Sequence, residues 1–166
     1  MMMSRRPPVT NEIKRAGISS TDKILVIGCG ILPSTIIILA EETQAYLTGI
    51  DINSKITNLA KSYINKKRFS NRIDILVGDG VNYPVNEFDV IFIAINVWPI
   101  NQILQHLAQN MKSGSKFIYR EFESDSSLVS SEEKIFTSFT LDSSFNYPMT
   151  MFSKYPMTKS FLFIKN

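Results

Sequence analysis

The feature that most constrains the fold of this 166-residue chain is a Gly-x-Gly turn between an apolar run and a helix start. The apolar run, residues 23–27, is typical of a strand that is covered on both faces of a sheet. Gly28 and Gly30 permit positive φ angles and let the backbone lie against a ligand with no Cβ in the way. Pro33 fits the first turn of a helix, whose free N–H groups and partial positive charge favour a nucleotide or an amino-acid carboxylate.

Two acids follow later predicted strands. The apolar run 45–50 ends in Asp51, about 20 residues after the glycines, where an acid binds a ribose diol. One carboxylate can accept from both ribose hydroxyl groups, and the alternative is that Asp51 is only a helix N-cap. Asp79, between Gly78 and Gly80, could accept from an adenine amino group. The alternative for Asp79, equally open, is a plain turn acid.

The composition, 44% hydrophobic and 20% charged, is that of a globular protein, and the length favours one domain over residues 1–166. No apolar run reaches the roughly 18 residues that cross a membrane, so we expect no membrane partner. The basic start has no apolar core after it, which argues against a secretory signal, and we interpret residues 1–9 as a loose tail. A net charge of +3 gives only weak support to a nucleic-acid partner.

The single cysteine, Cys29, excludes an intrachain disulfide and suits a reducing, cytoplasmic compartment. Because Cys29 lies inside the glycine turn, we interpret it as a small residue that packs under the loop. A nucleophilic cysteine would need a base, and the single histidine, His106, falls opposite the apolar stripe of a predicted helix and should lie at the surface.

Helical and strand patterns alternate along the chain. Predicted helices cover residues 10–17, 33–43, 54–69 and 99–111, and predicted strands cover 23–27, 45–50, 72–77, 88–95 and 116–121. The alternation predicts an α/β fold with a doubly wound, mostly parallel sheet and helices on both faces. The most apolar strand, 88–95, should be central, and 72–77 should be an edge strand. Two final strands, 135–141 and 159–164, should pair antiparallel because little but a loop separates them.

Groups beyond the fourth and fifth strands could line a site for an acceptor substrate. They are Asn96, Trp98 and Glu121, with Tyr83 from a loop. Glu121 is the best candidate for a general base, which is needed only if the acceptor is protonated, and Asn96 is a second catalytic candidate. Alternatively, Asn96 caps a helix and Trp98 is a core aromatic.

Two segments bear on possible partners. Basic residues cluster on one helix face and its end, and we interpret them as a solvated face rather than an RNA-binding patch: Lys61, Lys66, Lys67 and Arg68. Residues 146–157 are rich in Met, Tyr and Phe and could form a homo-oligomer interface or a lid on the sheet edge. We therefore expect a small-molecule acceptor rather than a nucleic acid.

From residue 23 to the end, the sequence resembles the class I S-adenosylmethionine-dependent methyltransferases. The resemblance implies S-adenosylmethionine as cofactor and a seven-stranded sheet of order 3-2-1-4-5-7-6 with strand seven antiparallel. In that family the glycine loop wraps the methionine part, the acid after strand two holds the ribose, and the acid after strand three faces the adenine. The implied cofactor-binding residues are Gly28, Cys29, Gly30, Asp51, Ile52, Asp79, Gly80 and Ala94.

In motif detail, the runs 27–35, 88–94 and 107–114 look more like nicotianamine synthases, as does the pair Tyr119-Arg120. Val26 and Leu32 stand where methyltransferases often have an acid and a third glycine. The synthases bind the same sulfonium cofactor but transfer its aminopropyl arm. They also carry an amino-terminal helical domain that supplies part of the acceptor site, for which we expect no room here.

These patterns favour methyl transfer from S-adenosylmethionine to an unidentified acceptor. The alternatives are a nicotianamine-synthase-like aminopropyl transferase and a cofactor-binding subunit without its own activity. A nicotinamide-dependent oxidoreductase is also compatible with the glycines and Asp51. Pro33 in place of a third glycine and the final hairpin argue against that last function.

Overall fold

The computed structural model of the protein describes residues 6–95, 97–122, 133–147 and 158–166. The strands in these ranges are β1 (Lys23–Ile27), β2 (Tyr46–Asp51), β3 (Ile73–Val77), β4 (Val90–Ile93), β5 (Lys116–Phe122), β6 (Phe139–Tyr147) and β7 (Thr158–Lys165). The helices are α1 (Arg6–Ala16), α2 (Ser34–Glu42), α3 (Ser54–Ile64), α4 (Ile100–Asn110) and the short α5 (Glu133–Phe136).

The sheet has the predicted topology. Its order in the described residues is β3-β2-β1-β4-β5-β7-β6, with β1 to β5 parallel and β7 antiparallel to both β5 and β6. All four residues of β4 are buried and the strand is central, whereas β3 is at an edge. The predicted fold class, strand order and antiparallel last strand are therefore confirmed.

An apolar layer covers each face of the sheet. One layer contains residues 36–39 of α2, which are all fully buried, together with β1 residues such as Val26. The other contains Ile103, Leu104 and Leu107 of α4. These α4 positions recur with the helical period, so one stripe of the helix faces the sheet and the rest faces solvent. The expectation of helices on both faces is confirmed.

The register brings the ends of four strands together at one edge of the sheet. Ile27, the last residue of β1, is paired with Ile50 of β2 on one side and Ile93 of β4 on the other. Asp51 is in turn paired with Val77 of β3. The loops that leave β1, β2, β3 and β4 therefore start beside one another, which is where open α/β sheets bind ligands.

Three predicted elements have boundaries that are wrong by more than two residues. The strand predicted over 135–141 is β6, Phe139–Tyr147, and residues 135–136 belong to α5. Helix α1 begins at Arg6, so residues 6–9 are helical and do not belong to a loose tail. Val9 is buried, and Arg6 pairs with Glu42 of α2 at 2.8 Å, which anchors this segment. Helix α3 ends at Ile64 rather than at residue 69. Since a helix continued from Ile64 would turn Phe69 away from the core, the chain leaves the helix and Phe69 is buried.

A buried polar cluster, Glu12, Arg120 and Ser160, joins α1 to β5 and β7. The Arg120 Nε donates to Glu12 Oε1 at 2.8 Å, and its Nη2 donates to Glu12 Oε2. The Ser160 hydroxyl donates to Glu12 Oε1, also at 2.8 Å. Burial by itself would lower the pKa of Arg120, but the facing Glu12 carboxylate raises this pKa above its ordinary value. Arg120 therefore remains ionised inside the protein.

The substitution Glu12→Gln should lower the free energy of unfolding by about 3–5 kcal/mol, measured by urea denaturation. It preserves the shape of residue 12 but removes the charge that compensates Arg120, and its amide adds a donor against the guanidinium. Glu87→Gln is the matched control, because Glu87 pairs with Lys23 at 2.9 Å on the surface. The control should leave the urea midpoint unchanged. Equal effects of the two substitutions would contradict a structural role for the buried pair.

Candidate functional site

The glycine turn after β1 uses its two glycines in different ways. Both have positive φ, +78° at Gly28 and +68° at Gly30, so both favour glycine. A Cβ on Gly28 would collide with the Val97 side chain, whereas a Cβ on Gly30 would meet nothing within 4 Å. Gly28 therefore allows close packing, and Gly30 borders open space at the edge of the sheet, which is called the cleft below. The N–H groups of Gly28 and Cys29 both donate to the Ile50 carbonyl at 2.9 Å, which ties the turn to β2.

Asp51 connects the end of β2 to the glycine turn. Its Oδ2 accepts from the Gly30 N–H at 3.2 Å, and its Oδ1 accepts from the Asn53 N–H at 3.1 Å. The N-cap of α3 is Asn53, whose Oδ1 accepts from the Lys55 N–H at 2.9 Å. The alternative reading of Asp51 as that cap is therefore wrong. Because a carboxylate has about four acceptor sites, Asp51 can still accept from a ligand.

Asp79 lies in the loop that leaves β3, at the same edge of the sheet. Its Oδ1 accepts from the Val81 N–H at 3.0 Å, which forms an Asx turn. Asp79 therefore does stabilise the turn, as the alternative interpretation expected. Among the described residues its Oδ2 has no hydrogen-bond partner, which leaves that atom for a ligand. Gly80 is buried, and a Cβ on it would lie 2.7 Å from Ile27 Cγ2, so packing accounts for this glycine.

The remaining predicted cofactor residues surround the same cleft. Ile52, next to Asp51, is 70% exposed and offers an apolar surface beside the carboxylate. The Ala94 N–H donates to the Ile27 carbonyl at 3.0 Å. A Cβ added to Gly28 would lie 3.5 Å from the Cβ of Ala94. Cys29 is 8% exposed and sits under the turn, as expected. Burial first, and the Asp51 carboxylate second, raise the pKa of Cys29 to about 11, so the thiol is neutral at physiological pH.

The residues expected to line an acceptor site have different placements. Glu121 is buried near the carboxyl end of β5, two positions beyond the Tyr119–Ile93 register pair, and is therefore at the same sheet edge. Trp98 is 84% exposed just before α4, so the alternative of a core aromatic is wrong. Tyr83 is half-buried and packs beside Phe88, with ring centroids 6.5 Å apart. Asn96 lies outside the described residues.

His106 is half-buried rather than on the open surface. Its Nε2 lies 2.7 Å from the Tyr83 carbonyl oxygen, and its Nδ1 lies 3.1 Å from Asn110 Nδ2. It therefore ties the Tyr83 loop to α4. No sequence signal joined His106 to Tyr83, since the two residues are 23 positions apart. Of the helices in the described part of the chain, none has the length and apolar character to cross a membrane.

Alkylation of Cys29 should show the raised pKa directly. At pH 8 its thiolate fraction, and hence its rate with iodoacetamide, should be about 100-fold below that of a thiol with the ordinary pKa. The rate should keep rising through pH 10 in the folded protein and level off near pH 9 in urea. Mass spectrometry is unambiguous because the chain has one cysteine. A plateau near pH 9 in the folded protein would contradict the buried, neutral thiol.

Comparison with solved structures places this geometry in a known fold. A mutant of MtNAS in complex with S-adenosylmethionine superposes with a TM-score of 0.75 at 20% identity, over 96% of this chain and 60% of that one. The cyclase SpnF gives 0.78 at 13% identity, over 96% and 81%. An RNA methyltransferase from Salinibacter ruber in complex with S-adenosyl-L-homocysteine gives 0.72 at 16% identity, over 96% and 92%. At these identities the likeness establishes the class I methyltransferase-like fold.

Sequence comparison relates the chain to one family within this fold. No curated protein matches the sequence. This chain spans about three-fifths of the length of MtNAS. Residues 10–131, well over half of the chain, match the sequence model of the family described as nicotianamine synthase protein. They include the glycine turn, Asp51, Asp79 and Arg120. The chain belongs to the nicotianamine synthase family.

Proposed function

We propose that the protein is an S-adenosylmethionine-dependent transferase that binds this cofactor over the glycine turn. The observation that carries the proposal is the 3.2 Å hydrogen bond from the Gly30 N–H to Asp51 Oδ2. This bond fixes the turn and the acid relative to each other, next to the open space at Gly30. Family membership and the cofactor in the related MtNAS structure support the choice of ligand.

The residues of the cleft fit such a ligand chemically. Asp51 retains acceptor sites for the two ribose hydroxyl groups, and the exposed side chain of Ile52 is suited to one face of a planar base. Asp79 Oδ2 can accept from an adenine amino group. Gly30 leaves room for the methionine part because a Cβ there would point into open space. Cys29 contributes packing and, being neutral, adds no charge beside the sulfonium.

Bound S-adenosylmethionine supplies an electrophilic carbon next to a sulfonium, so the protein need mainly align the acceptor with it. We propose that Glu121 accepts a proton from the acceptor where one must be removed, since it is buried near the carboxyl end of β5. Asn96 is kept as a second residue of the acceptor site. Both roles are proposals from chain position and chemistry.

Two candidates differ in the group transferred. Methyl transfer is the first, because the fold is shared with methyltransferases. Transfer of the aminopropyl arm is the second, favoured by the family match over residues 10–131. The two reactions release S-adenosylhomocysteine and methylthioadenosine, respectively, so chromatography of the nucleoside formed identifies the group. A cofactor-binding subunit without its own activity would release neither.

We propose a small-molecule acceptor rather than a nucleic acid. Helix α3 begins beside the cleft, directly after Asn53, and runs about 16 Å to Ile64. The exposed basic residues Lys66 and Arg68 follow that far end, so they lie away from the proposed site. Cations beside the cleft would favour a nucleic-acid acceptor, and this basic cluster does not lie beside it.

Titration with S-adenosylhomocysteine tests cofactor binding. At a hundredfold excess over Kd the melting temperature should rise by about 5–10 °C, and NAD should give no rise. Asp51→Asn should weaken binding by about 10- to 100-fold, because it removes the charged acceptor of the ribose. Asn53→Ala is the control: it removes the α3 cap and costs about 1 kcal/mol of stability but should leave the affinity unchanged. A rise with NAD alone would exclude the proposed cofactor.

A pair of glycine substitutions tests whether the ligand occupies the space at Gly30. Gly30→Ala and Gly114→Ala impose alanine at φ +68° and +80°, and neither Cβ meets an atom within 4 Å. Each substitution should therefore lower the free energy of unfolding by a similar amount, roughly 1–2 kcal/mol. Only Gly30→Ala should abolish the S-adenosylhomocysteine shift, since its methyl group fills the proposed cleft. Retained binding in Gly30→Ala would place the ligand elsewhere.

A further inference from the structure

The Arg120 guanidinium donates one hydrogen bond to a residue outside the buried cluster in the described part of the chain, and that residue lies near the proposed site. Its Nη1 donates to the Thr35 hydroxyl at 3.3 Å, while Nε and Nη2 hold the two carboxylate oxygens of Glu12. Only 12% of the Arg120 side chain is exposed, and its Cζ lies 5.8 Å from the centre of the Phe92 ring. The buried guanidinium of Arg120 therefore connects Glu12 of α1 to Thr35 of α2.

Thr35 is the second residue of α2, the helix that follows the glycine turn. The N-cap position of α2 is Pro33, which makes no side-chain cap hydrogen bond. In contrast, Asn53 caps α3. The start of α2 thus lacks the side-chain cap that the next helix has, and the contact from β5 reaches its first turn.

Helix stability does not account for a cation at this place. The N-terminus of a helix carries a partial positive charge, so a guanidinium there is unfavourable unless it is compensated. Glu12, which is fully buried, supplies the compensation. The buried pair fixes α1, and the remaining donor of Arg120 also reaches the first turn of α2. The position of that turn matters if a ligand binds over the glycine turn.

We propose that Arg120 is a positioning residue: it fixes the first turn of α2 against the glycine turn through Thr35, and so sets the affinity of the S-adenosylmethionine site. The inference rests on the function proposed above. It identifies a residue that touches no ligand but orders the backbone that does. It also explains why an arginine is needed, since a lysine ammonium cannot hold both Glu12 oxygens and a third acceptor in a fixed plane.

The chain offers closely matched variants. Thr35→Val removes the hydroxyl and preserves the shape, and Thr35→Ser restores the hydroxyl. Thr10→Val is the control, because the Thr10 hydroxyl joins α1 to α2 remote from the proposed site, where it donates to Glu42 Oε1 at 2.8 Å. The same threonine-to-valine change therefore breaks either the β5–α2 hydrogen bond near the proposed site or an α1–α2 hydrogen bond remote from it.

Hydrogen exchange of the ligand-free protein tests the ordering of the turn. Thr35→Val and Arg120→Lys should speed amide exchange in residues 28–37 by about 3- to 10-fold, because each removes one hydrogen bond that orders this segment. Thr35→Ser and Thr10→Val should exchange in this segment like the wild type. Unchanged exchange in Thr35→Val would overturn the proposal, whether or not the protein binds the cofactor.

Calorimetric titration with S-adenosylhomocysteine tests the consequence for binding. Thr35→Val should raise Kd by about 3- to 10-fold while lowering the urea midpoint no more than Thr10→Val, which also loses one hydrogen bond, and Thr35→Ser and Thr10→Val should bind within about twofold of the wild type. If Arg120 acts through Thr35, the double variant Arg120→Lys/Thr35→Val should bind no more weakly than Arg120→Lys alone. Wild-type affinity in Thr35→Val, or additive losses, would overturn the positioning role. A wild type that binds no S-adenosylhomocysteine would overturn the proposed function and the affinity role, and exchange alone would then decide whether Arg120 orders the turn.

Discussion

The two-pronged contact between Arg120 and Glu12 is the interaction on which the placement of α1 depends. The helix has few apolar residues to bury, chiefly Val9, Ile13 and Ala16. Hydrophobic burial alone would leave its position along the sheet poorly defined. A buried ion pair adds little stability over an apolar contact of the same size, but it demands one geometry, because either charge left alone in the core is costly. Together with hydrogen bonds such as those from Arg15 to Ser143 and from Tyr147 to Pro8, the pair thus specifies where α1 lies.

The glycine turn shows that one motif can serve two physical needs. At Gly28 the absence of a Cβ lets Val97 pack onto the backbone, and at Gly30 it leaves open space in front of Asp51. Between them, Cys29 points into the core, where burial holds its thiol neutral. The turn is therefore rigid on its inner side and open on its outer side. A rigid loop binds a ligand without a large ordering cost, since its conformation is set before the ligand arrives.

Much of the sheet could be predicted because its information is local. The apolar run of β4 indicated a central strand, and the family resemblance implied the strand order that places β2 beside β1. Contacts between distant residues could not be predicted in this way. Glu12 and Arg120 are 108 positions apart, and nothing in the sequence around Glu12 distinguishes a buried carboxylate from a solvated one.

Errors at helix ends and at exposed aromatics have the same cause. Continuing α3 to residue 69 follows helical propensity, but burial of Phe69 requires the chain to leave the helix five residues earlier. Trp98 has a large aromatic side chain of the kind that is usually buried, and it is nevertheless 84% exposed. In both positions the outcome is decided by tertiary packing, which overrides the local pattern.

The paired strands β5 and β7 are held by different kinds of contact at their two ends. At the end away from the proposed site, Phe117 stacks on Phe163 and meets Phe139 edge-on, with ring centroids 4.8 Å apart in both pairs. At the other end the register pair Arg120 and Ser160 is polar, and both residues bond to Glu12. Ring packing tolerates small shifts, whereas hydrogen bonds weaken steeply with angle and distance. Directional contacts thus occur at the end of the strands nearest the glycine turn, where a displacement of the backbone would reach the proposed ligand.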